Sequence, residues 1–267
     1  AEDGIRDLVR SRGLGDVYKR QGLIAGGGRF PILFARSYKK YTGGHIEAIG
    51  FQGETNPELE SCVDGMTLIA IGQLGKLIKT FKNAGVQKAV MAGRIAPKRL
   101  FDSLESLRFD AQGLRLFMSL RDKRADTIFG AVTQKLAKEG ITLLDSTSFL
   151  AEYMPRKGVL TKRQPDQNQI RDIEFGKTIA LEMGRLDIGQ TVVVKNQSIV
   201  AVEAIEGTDE AIKRGGALSK GDCVVVKMAK PAQDMRFDVP VTGTDTIEVM
   251  KEAGAVVLAL SEGNSLI

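Results

Sequence analysis

Histidine is nearly missing from this chain. A single one, His45, stands among 267 residues. That excludes any zinc site built from several imidazoles, and with it the histidine-rich two-metal sites of phosphoesterases. It also leaves room for only one Ser-His-Asp or Cys-His arrangement. A metal used here must therefore sit on oxygen ligands, which favours Mg²⁺, with Mn²⁺ as the alternative. Cysteine is scarce as well: Cys62 and Cys223 lie far apart in the sequence. No disulfide framework is expected, and a reducing cytosol is the expected compartment. No apolar run approaches the roughly 20 residues that a membrane span needs. The start has no charged segment followed by an apolar core, so no secretory signal is read there. The formal net charge of +5 is too mild for the clustered basic face of a nucleic-acid binder, and no nucleic-acid partner is expected.

What is present is an ordinary soluble composition, 43% hydrophobic and 27% charged, in a chain long enough for two modest domains. The first 21 residues, "AEDGIRDLVRSRGLGDVYKRQ", do not begin with Met and abut a strongly patterned segment at Gly22. They read as a non-native extension and are set aside from fold reasoning. "GLIAGGGRFPILFARSYKKY" then reads as strand, glycine turn and helix, with Pro31 in the first helical turn where it is tolerated. "HIEAIGF" (45–51), "MTLIAIG" (66–72), "QKAVMAG" (87–93) and "ITLLD" (141–145) read as further strands. A helix through Leu74, Leu77, Ile78 and Phe81, closed by Gly85, lies among them. Residues 100 to 139 read as helical. Strands alternating with helices predict an α/β, Rossmann-like N-terminal domain with a parallel sheet, residues 22–153. "MPRKGVLTKRQPDQNQ" (154–169) reads as a linker. A second α/β domain, residues 170–267, follows. It has a hairpin in "TVVVKNQSIVAVEAI" (191–205), a helix that Thr208 can cap, a strand "DCVVVKM" (222–228), a helix at 244–254 and a last strand at 255–263. The chain stops soon after that strand, so a truncated C-terminus is expected.

Four stretches carry candidate chemistry. In "AGGGRFP", Gly26, Gly27 and Gly28 let the backbone approach a ligand, and the following helix start offers free N–H groups to a diphosphate. Pro31 replaces the last glycine of the dinucleotide fingerprint, and no P-loop Lys-Ser/Thr follows. A turn that merely packs strand on helix explains the glycines equally well. Arg94 ends an inferred parallel strand, at the edge where open α/β sheets bind ligands, and its planar fork suits phosphate. In "VEAIEGTD", Glu203 lies in an apolar strand, where a carboxylate needs a partner or a metal. Glu206, Gly207, Thr208 and Asp209 surround the next helix start. Capping accounts for Asp209 but not for Glu203.

The fourth is "KPAQDMRFDVP", Lys230 to Pro240. Asp234 and Asp238 suit one divalent cation, or split into metal ligand and general base. Lys230 and Arg236 suit charge growing on a phosphoryl group. A salt-bridged surface loop is the competing account. His45 reads as structural, and the two cysteines as packing residues.

Together and in this order, "GLIAGGGRFP", "AGR" after a strand, "DIGQTVVVKNQSIVAVEAIEGTD" and "VVVKMAKPAQDMRFDVPVTG" resemble the UDP-2,3-diacylglucosamine pyrophosphatase family of lipid A synthesis. This is the class unrelated to the histidine-rich metallophosphoesterases. The likeness covers nearly everything from Gly22 onward. It implies a Rossmann-like half and a distinct α/β half, a homodimer, Mg²⁺, and hydrolysis of a UDP-linked diacyl-glucosamine lipid to UMP and 2,3-diacylglucosamine 1-phosphate. It places the acidic functional position at Asp234 or Asp238 and has Glu203, Glu206, Gly207, Thr208, Asp209 and Gln233 line the site. The glycine turn would hold nucleotide or diphosphate. The enzyme would work in the cytoplasm, at the inner face of a Gram-negative inner membrane, with peripheral contact only. One departure is the pair of acids the family tends to carry before "ITLLD": "RADTIF" keeps Asp126 but has Ala125 beside it. Two rival classes are a nucleotide-sugar binding or sensing protein without turnover, and a nicotinamide-dependent oxidoreductase suggested by the glycine turn.

Overall fold

In the computed structural model, residues 20–95 and 107–267 are described. They fall into two compact units: residues up to Ala151 together with Met235–Phe237, and Glu152–Asp234 together with Asp238–Ile267. Residues 1–19 of the expected extension and 100–106 of the expected helical stretch lie outside the described residues.

The first unit holds a five-stranded sheet in the order β3-β2-β1-β4-β5. Its strands are β1 (Arg20–Ala25), β2 (His45–Phe51), β3 (Gly65–Ile69), β4 (Lys88–Ala92) and β5 (Thr142–Leu143). Every pairing is parallel, with Leu23 opposite Ala48 on one side and Val90 on the other. Parallel strands need crossover connections that cover the sheet, which is why residues 23–25 of β1 and 89–92 of β4 read as continuous apolar runs. The crossovers are α1 (Phe30–Thr42), α2 (Leu74–Asn83), α3 (Ala111–Ser119) and α4 (Ala125–Lys138). Ile24, Ile49, Phe51, Leu77, Phe81, Leu136 and Ile141 form one buried core. Truncating Phe81 to Ala there should cost roughly 3–5 kcal/mol. Helix α2 ends as read, with Gly85 at φ 70 and Val86 N–H donating to Phe81 O at 2.9 Å, a glycine-closed C-terminus.

Three expectations need correcting here. Strand β1 begins at Arg20, inside the stretch set aside, and Gln21 is 1% exposed. The helical stretch ending at 139 is not continuous: α3 stops at Leu120 and α4 starts after Arg124, both in extended conformation. The charged run "RDKR" makes the break, and Asp122 accepts from Arg124 N–H at 3.1 Å. The strand read at 141–145 is only two residues long.

The second unit holds a four-stranded sheet, β7-β6-β8-β9, made of β6 (Thr191–Lys195), β7 (Ser198–Val202), β8 (Cys223–Lys227) and β9 (Ala255–Leu260). Strand β6 runs antiparallel to both β7 and β8, and β9 runs parallel to β8. The hairpin turn is Asn196-Gln197, with φ 51 and 54, the left-handed pair of a type I′ turn. Both N–H groups donate to the buried Asp172 carboxylate, at 3.0 and 2.6 Å. Asp172 belongs to α5 (Gln167–Arg185), which opens on a capping box of Asp166 with Gln169. The helix therefore starts inside the segment read as linker. Alternation along β6 splits the core in two. Val192 and Val194 pack with Ala180, Met183, Val224 and Val226. Val193 packs with Val225 of β8, with Ile212 of α6 (Thr208–Ser219) and with Met250 of α7 (Thr244–Glu252).

Because β7 and β8 share a direction, their C-terminal ends meet the start of β6 on one edge. Thr191 pairs with Lys227 in register, and Glu203 N–H donates to Thr191 O at 2.8 Å. The turn after α5, the start of α6 and the long loop after β8 all open at this edge.

Candidate functional site

In the first unit, the glycine turn follows β1. Gly26 N–H donates to Ala92 O at 2.8 Å, and Gly27 N–H to Arg94 O at 2.7 Å. A Cβ on Gly26 would meet Arg94 O at 2.6 Å, and one on Gly93 would meet Gly27 O at 2.5 Å. These two glycines are thus required by strand-to-strand packing. Gly28 differs: its φ is 85 and nothing lies within 4 Å of a Cβ position. Its backbone is open to a ligand, and α1 begins two residues later with no acidic residue in its first turn and no side-chain cap on its N–H groups. Exposed Arg94 stands beside it through the Gly27–Arg94 bridge. A cavity of about 110 Å³ adjoins Gly26 and Gly93 and is lined by Ile24, Phe51, Met91, Ile95 and Phe129 among others.

Arg236 also belongs to the first unit, with Met235 and Phe237. Ser146 N–H donates to Met235 O at 2.8 Å, Ser146 Oγ lies 2.7 Å from Arg236 O, and the Phe237 ring stacks on Phe129 at 5.7 Å. The backbone of this tripeptide is therefore fixed, and the Arg236 residue is exposed.

In the second unit, Lys230 is clasped between two carboxylates. Its Nζ lies 2.8 Å from Asp187 Oδ1 and 3.1 Å from Asp238 Oδ2. Gln233 Oε1 accepts from Lys230 N–H at 2.7 Å, Gln233 Nε2 donates to Asp238 O, and Asp238 N–H donates to Asp234 O at 2.9 Å. The loop is a folded turn rather than a loose strand of charges. Its first residues are pinned by Ala229 N–H donating to Ser261 Oγ at 2.8 Å. Asp187 was not foreseen. It follows α5 at φ 56 within "RLDIGQ", a turn signal that sequence reading passed over.

Along the same edge lies a buried polar group. Glu203, one residue past β7 and 8% exposed, accepts from Thr208 Oγ1 at 2.8 Å and from Gln190 N–H at 3.4 Å. Thr208 does not cap α6. Gly207 is the N-cap, at φ 88, and the Thr208 hydroxyl turns to Glu203 instead. Lys227 Nζ, 5% exposed, donates to Thr208 Oγ1 at 3.2 Å and to Val241 O at 3.0 Å. Lys227 too was missed, although a lysine ending a run of valines invites the same question as Glu203 did. Asp209 Oδ1 accepts from Thr246 Oγ1 at 2.9 Å, tying the starts of α6 and α7. Glu206 pairs with Arg214 at 2.9 Å. Its carboxyl is held below the usual glutamate range, first by its own backbone N–H and then by that guanidinium.

Among the described residues, no three His, Cys, Asp or Glu side chains gather as a metal cage. Cys62 and Cys223 are both free, and burial raises the Cys223 thiol above its usual pKa. His45 sits at the start of β2, 3.8 Å from Glu47 and 4.0 Å from Asp64.

Fold and site define a two-unit α/β protein whose second unit carries a lysine-clasped acidic turn at a strand edge. Residues 20–153 match the LpxI N-terminal domain and residues 156–267 the LpxI C-terminal domain. The UDP-2,3-diacylglucosamine pyrophosphatase LpxI of Caulobacter vibrioides is 30% identical over 260 residues, covering 93% of this chain and 90% of the relative. The chain belongs to the LpxI family. The solved ADP complex of purK, an N5-carboxyaminoimidazole ribonucleotide synthetase, aligns with 88% of this chain and 44% of its own. Its TM-score is 0.28 at 15% identity, too low to signify a shared fold.

Proposed function

We propose that this protein hydrolyses the diphosphate of UDP-2,3-diacylglucosamine, releasing UMP and 2,3-diacylglucosamine 1-phosphate, a step of lipid A synthesis. The observation that carries the reading is the match of both halves of the chain, in order, to the two domains of one pyrophosphatase family.

The residues fit that chemistry. Splitting a phosphoric anhydride needs positive charge on the phosphoryl oxygens and an oriented water. In the second unit Lys230 supplies such charge, and exposed Arg236 is a candidate cation of the first. Lys230 arrives pre-oriented, because Asp187 and Asp238 hold its ammonium from two sides. Asp234 and Asp238 serve as ligands of one divalent cation, or one of them binds the ion and the other orients the water and accepts its proton. Gln233 holds the turn that presents both. Gly28, Arg94 and the start of α1 suit the nucleotide's phosphates. Glu206, Gly207 and Asp209 stand at the start of α6, which opens at the same edge of the second unit's sheet.

A protein cage for Mg²⁺ is absent among the described residues. Mg²⁺ is commonly held by one or two carboxylates plus substrate phosphates, and Asp234 with Asp238 match that donor set, with Mn²⁺ as the alternative ion. Such an ion supplies neutralising charge on the diphosphate. The apolar cavity beside the glycine turn suits hydrocarbon rather than sugar. Among the described residues no helix is long and apolar enough to cross a membrane. We read the contact with the lipid-bearing inner membrane as peripheral, from its cytoplasmic face, and the working form as a homodimer.

Incubation of the purified protein with radiolabelled substrate, with and without Mg²⁺, tests the reading. Metal-dependent UMP release supports it. Tight binding without UMP release under any divalent ion would favour a sensing protein instead.

A further inference from the structure

We propose that Lys227 is a positioning residue for this reaction, acting through Thr208 and the Val241 carbonyl. The proposal rests on the pyrophosphatase reading above. Lys227 ends a strand whose preceding residues, Val224, Val225 and Val226, are all buried. An ammonium at such a position carries a desolvation cost that an apolar side chain would avoid. Replacing a whole buried ion network by apolar residues is often neutral or stabilising, so stability alone is a weak reason for placing a charge here.

What lysine adds is directional. Thr208 has one hydroxyl proton and accepts as well. Thr208 Oγ1 accepts from Lys227 Nζ at 3.2 Å and donates to Glu203 Oε1 at 2.8 Å, with Thr191 Oγ1 3.4 Å away. The same Nζ donates to Val241 O at 3.0 Å, at the far end of the loop that carries Asp234 and Asp238. One cation thus fixes the start of α6, the orientation of the Glu203 carboxylate and the return of the acidic loop. Two buried side-chain oxygens beside this network have no hydrogen-bond partner in the protein: Gln190 Oε1 and Thr242 Oγ1. Gln190 N–H is on Glu203, and Thr242 adjoins Val241. Native proteins leave few such groups, and a bound water or a functional role is the usual explanation.

The test uses the full chain and four variants: Lys227→Met, Thr208→Val, Thr208→Ser and the double Lys227→Met with Thr208→Val. Lys227→Met should lower kcat about tenfold or more with KM within about twofold, the pattern of a group acting at the transition state. Its Tm should fall modestly, because Thr208 Oγ1 and Val241 O lose a donor, and the rate loss should persist well below that Tm. Thr208→Val should lose a similar factor, Thr208→Ser should retain most of the rate, and the double variant should be no worse than the poorer single. Hydrogen exchange in Lys227→Met should rise at residues 228–243 and 203–209 and nowhere else. Wild-type kcat in Lys227→Met, multiplicative losses in the double variant, or unchanged exchange in those segments would overturn the proposal. So would kcat losses that simply track Tm. If Lys227→Met does not fold, the Thr208→Val and Thr208→Ser pair decides by the same criteria. A wild type without UMP release would end the pyrophosphatase reading separately, and the exchange result would still decide the anchoring.

Discussion

Asp187 leaves the end of α5 in a left-handed conformation and places Oδ1 2.8 Å from Lys230 Nζ. The pair joins residues 43 positions apart, and Asp238 completes the clasp from the other side at 3.1 Å. A flexible lysine is thereby held as a fixed charge at the mouth of the acidic turn.

Removing either acid leaves Lys230 with the other. Asp187→Asn and Asp238→Asn should therefore each cost no more than about 1 kcal/mol of stability, since all three side chains keep some solvent contact. Their effects on rate should differ. Asp238→Asn should lower kcat by about 10² or more if the carboxylate orients water, whereas Asp187→Asn, which only steadies the ammonium, should lose about tenfold. Steady-state kinetics beside thermal melts check this; equal kcat losses would show that Asp238 also only steadies the lysine.

The glycines separate by geometry. Gly26→Ala drives a Cβ to 2.6 Å from the Arg94 carbonyl and should destabilise the first unit by about 1–3 kcal/mol, as overpacking does. Gly28→Ala meets no atom and should cost only the left-handed conformation, about 1–2 kcal/mol. If the glycine turn holds a phosphate, the larger effect of Gly28→Ala should be on KM. Chemical denaturation and KM measured on both variants distinguish the two roles.

Truncation tests the corrected boundary. A chain starting at Arg20 should melt with the full chain. One starting at Gly22 loses the pairings of Arg20 with His45 and Gln21 with Ile46, the buried Gln21 and the Arg20 bond to Ala84 O. It should melt lower. Equal melting of all three would show that the first two residues of β1 add nothing.

The parallel sheet was legible because alternating apolar runs and helical spacing are local signals, and β2 was read to the residue. The start of β1 was not, because Arg20 and Gln21 look polar and their burial depends on neighbours far along the chain. The start of α5 was legible in principle: D-x-x-Q before a helix is a capping box, hidden here inside a Pro- and Gly-containing segment. At the site, the pairing of Lys230 with Asp238 follows from sequence proximity. Asp187 and Lys227 do not, since each reaches its partners only after the strands of the second unit have paired. Thr208 looked like a cap because it precedes a helix. Gly207, able to adopt φ 88, takes that position and frees the hydroxyl for Glu203.

Acid should expose Glu206. Its folded-state pKa lies below the ordinary value near 4.5, so it stabilises the fold above that pH, and the contribution is lost as pH falls through the lower folded value. Glu206→Gln should flatten the fall of Tm below about pH 4.5. Parallel melting curves for the two proteins from pH 6 to 3 would contradict the pairing with Arg214.

The most direct measurement is UMP release from UDP-2,3-diacylglucosamine by the wild type and by Asp234→Asn, Asp238→Asn and the double variant, across a Mg²⁺ titration. The account predicts turnover in the wild type, a kcat loss of about 10² or more in at least one single variant with Tm little changed, and a higher Mg²⁺ requirement where the lost carboxylate binds the ion. Wild-type kcat in all three variants would contradict it and move the search for the catalytic groups to Glu203, Glu206 and Asp209.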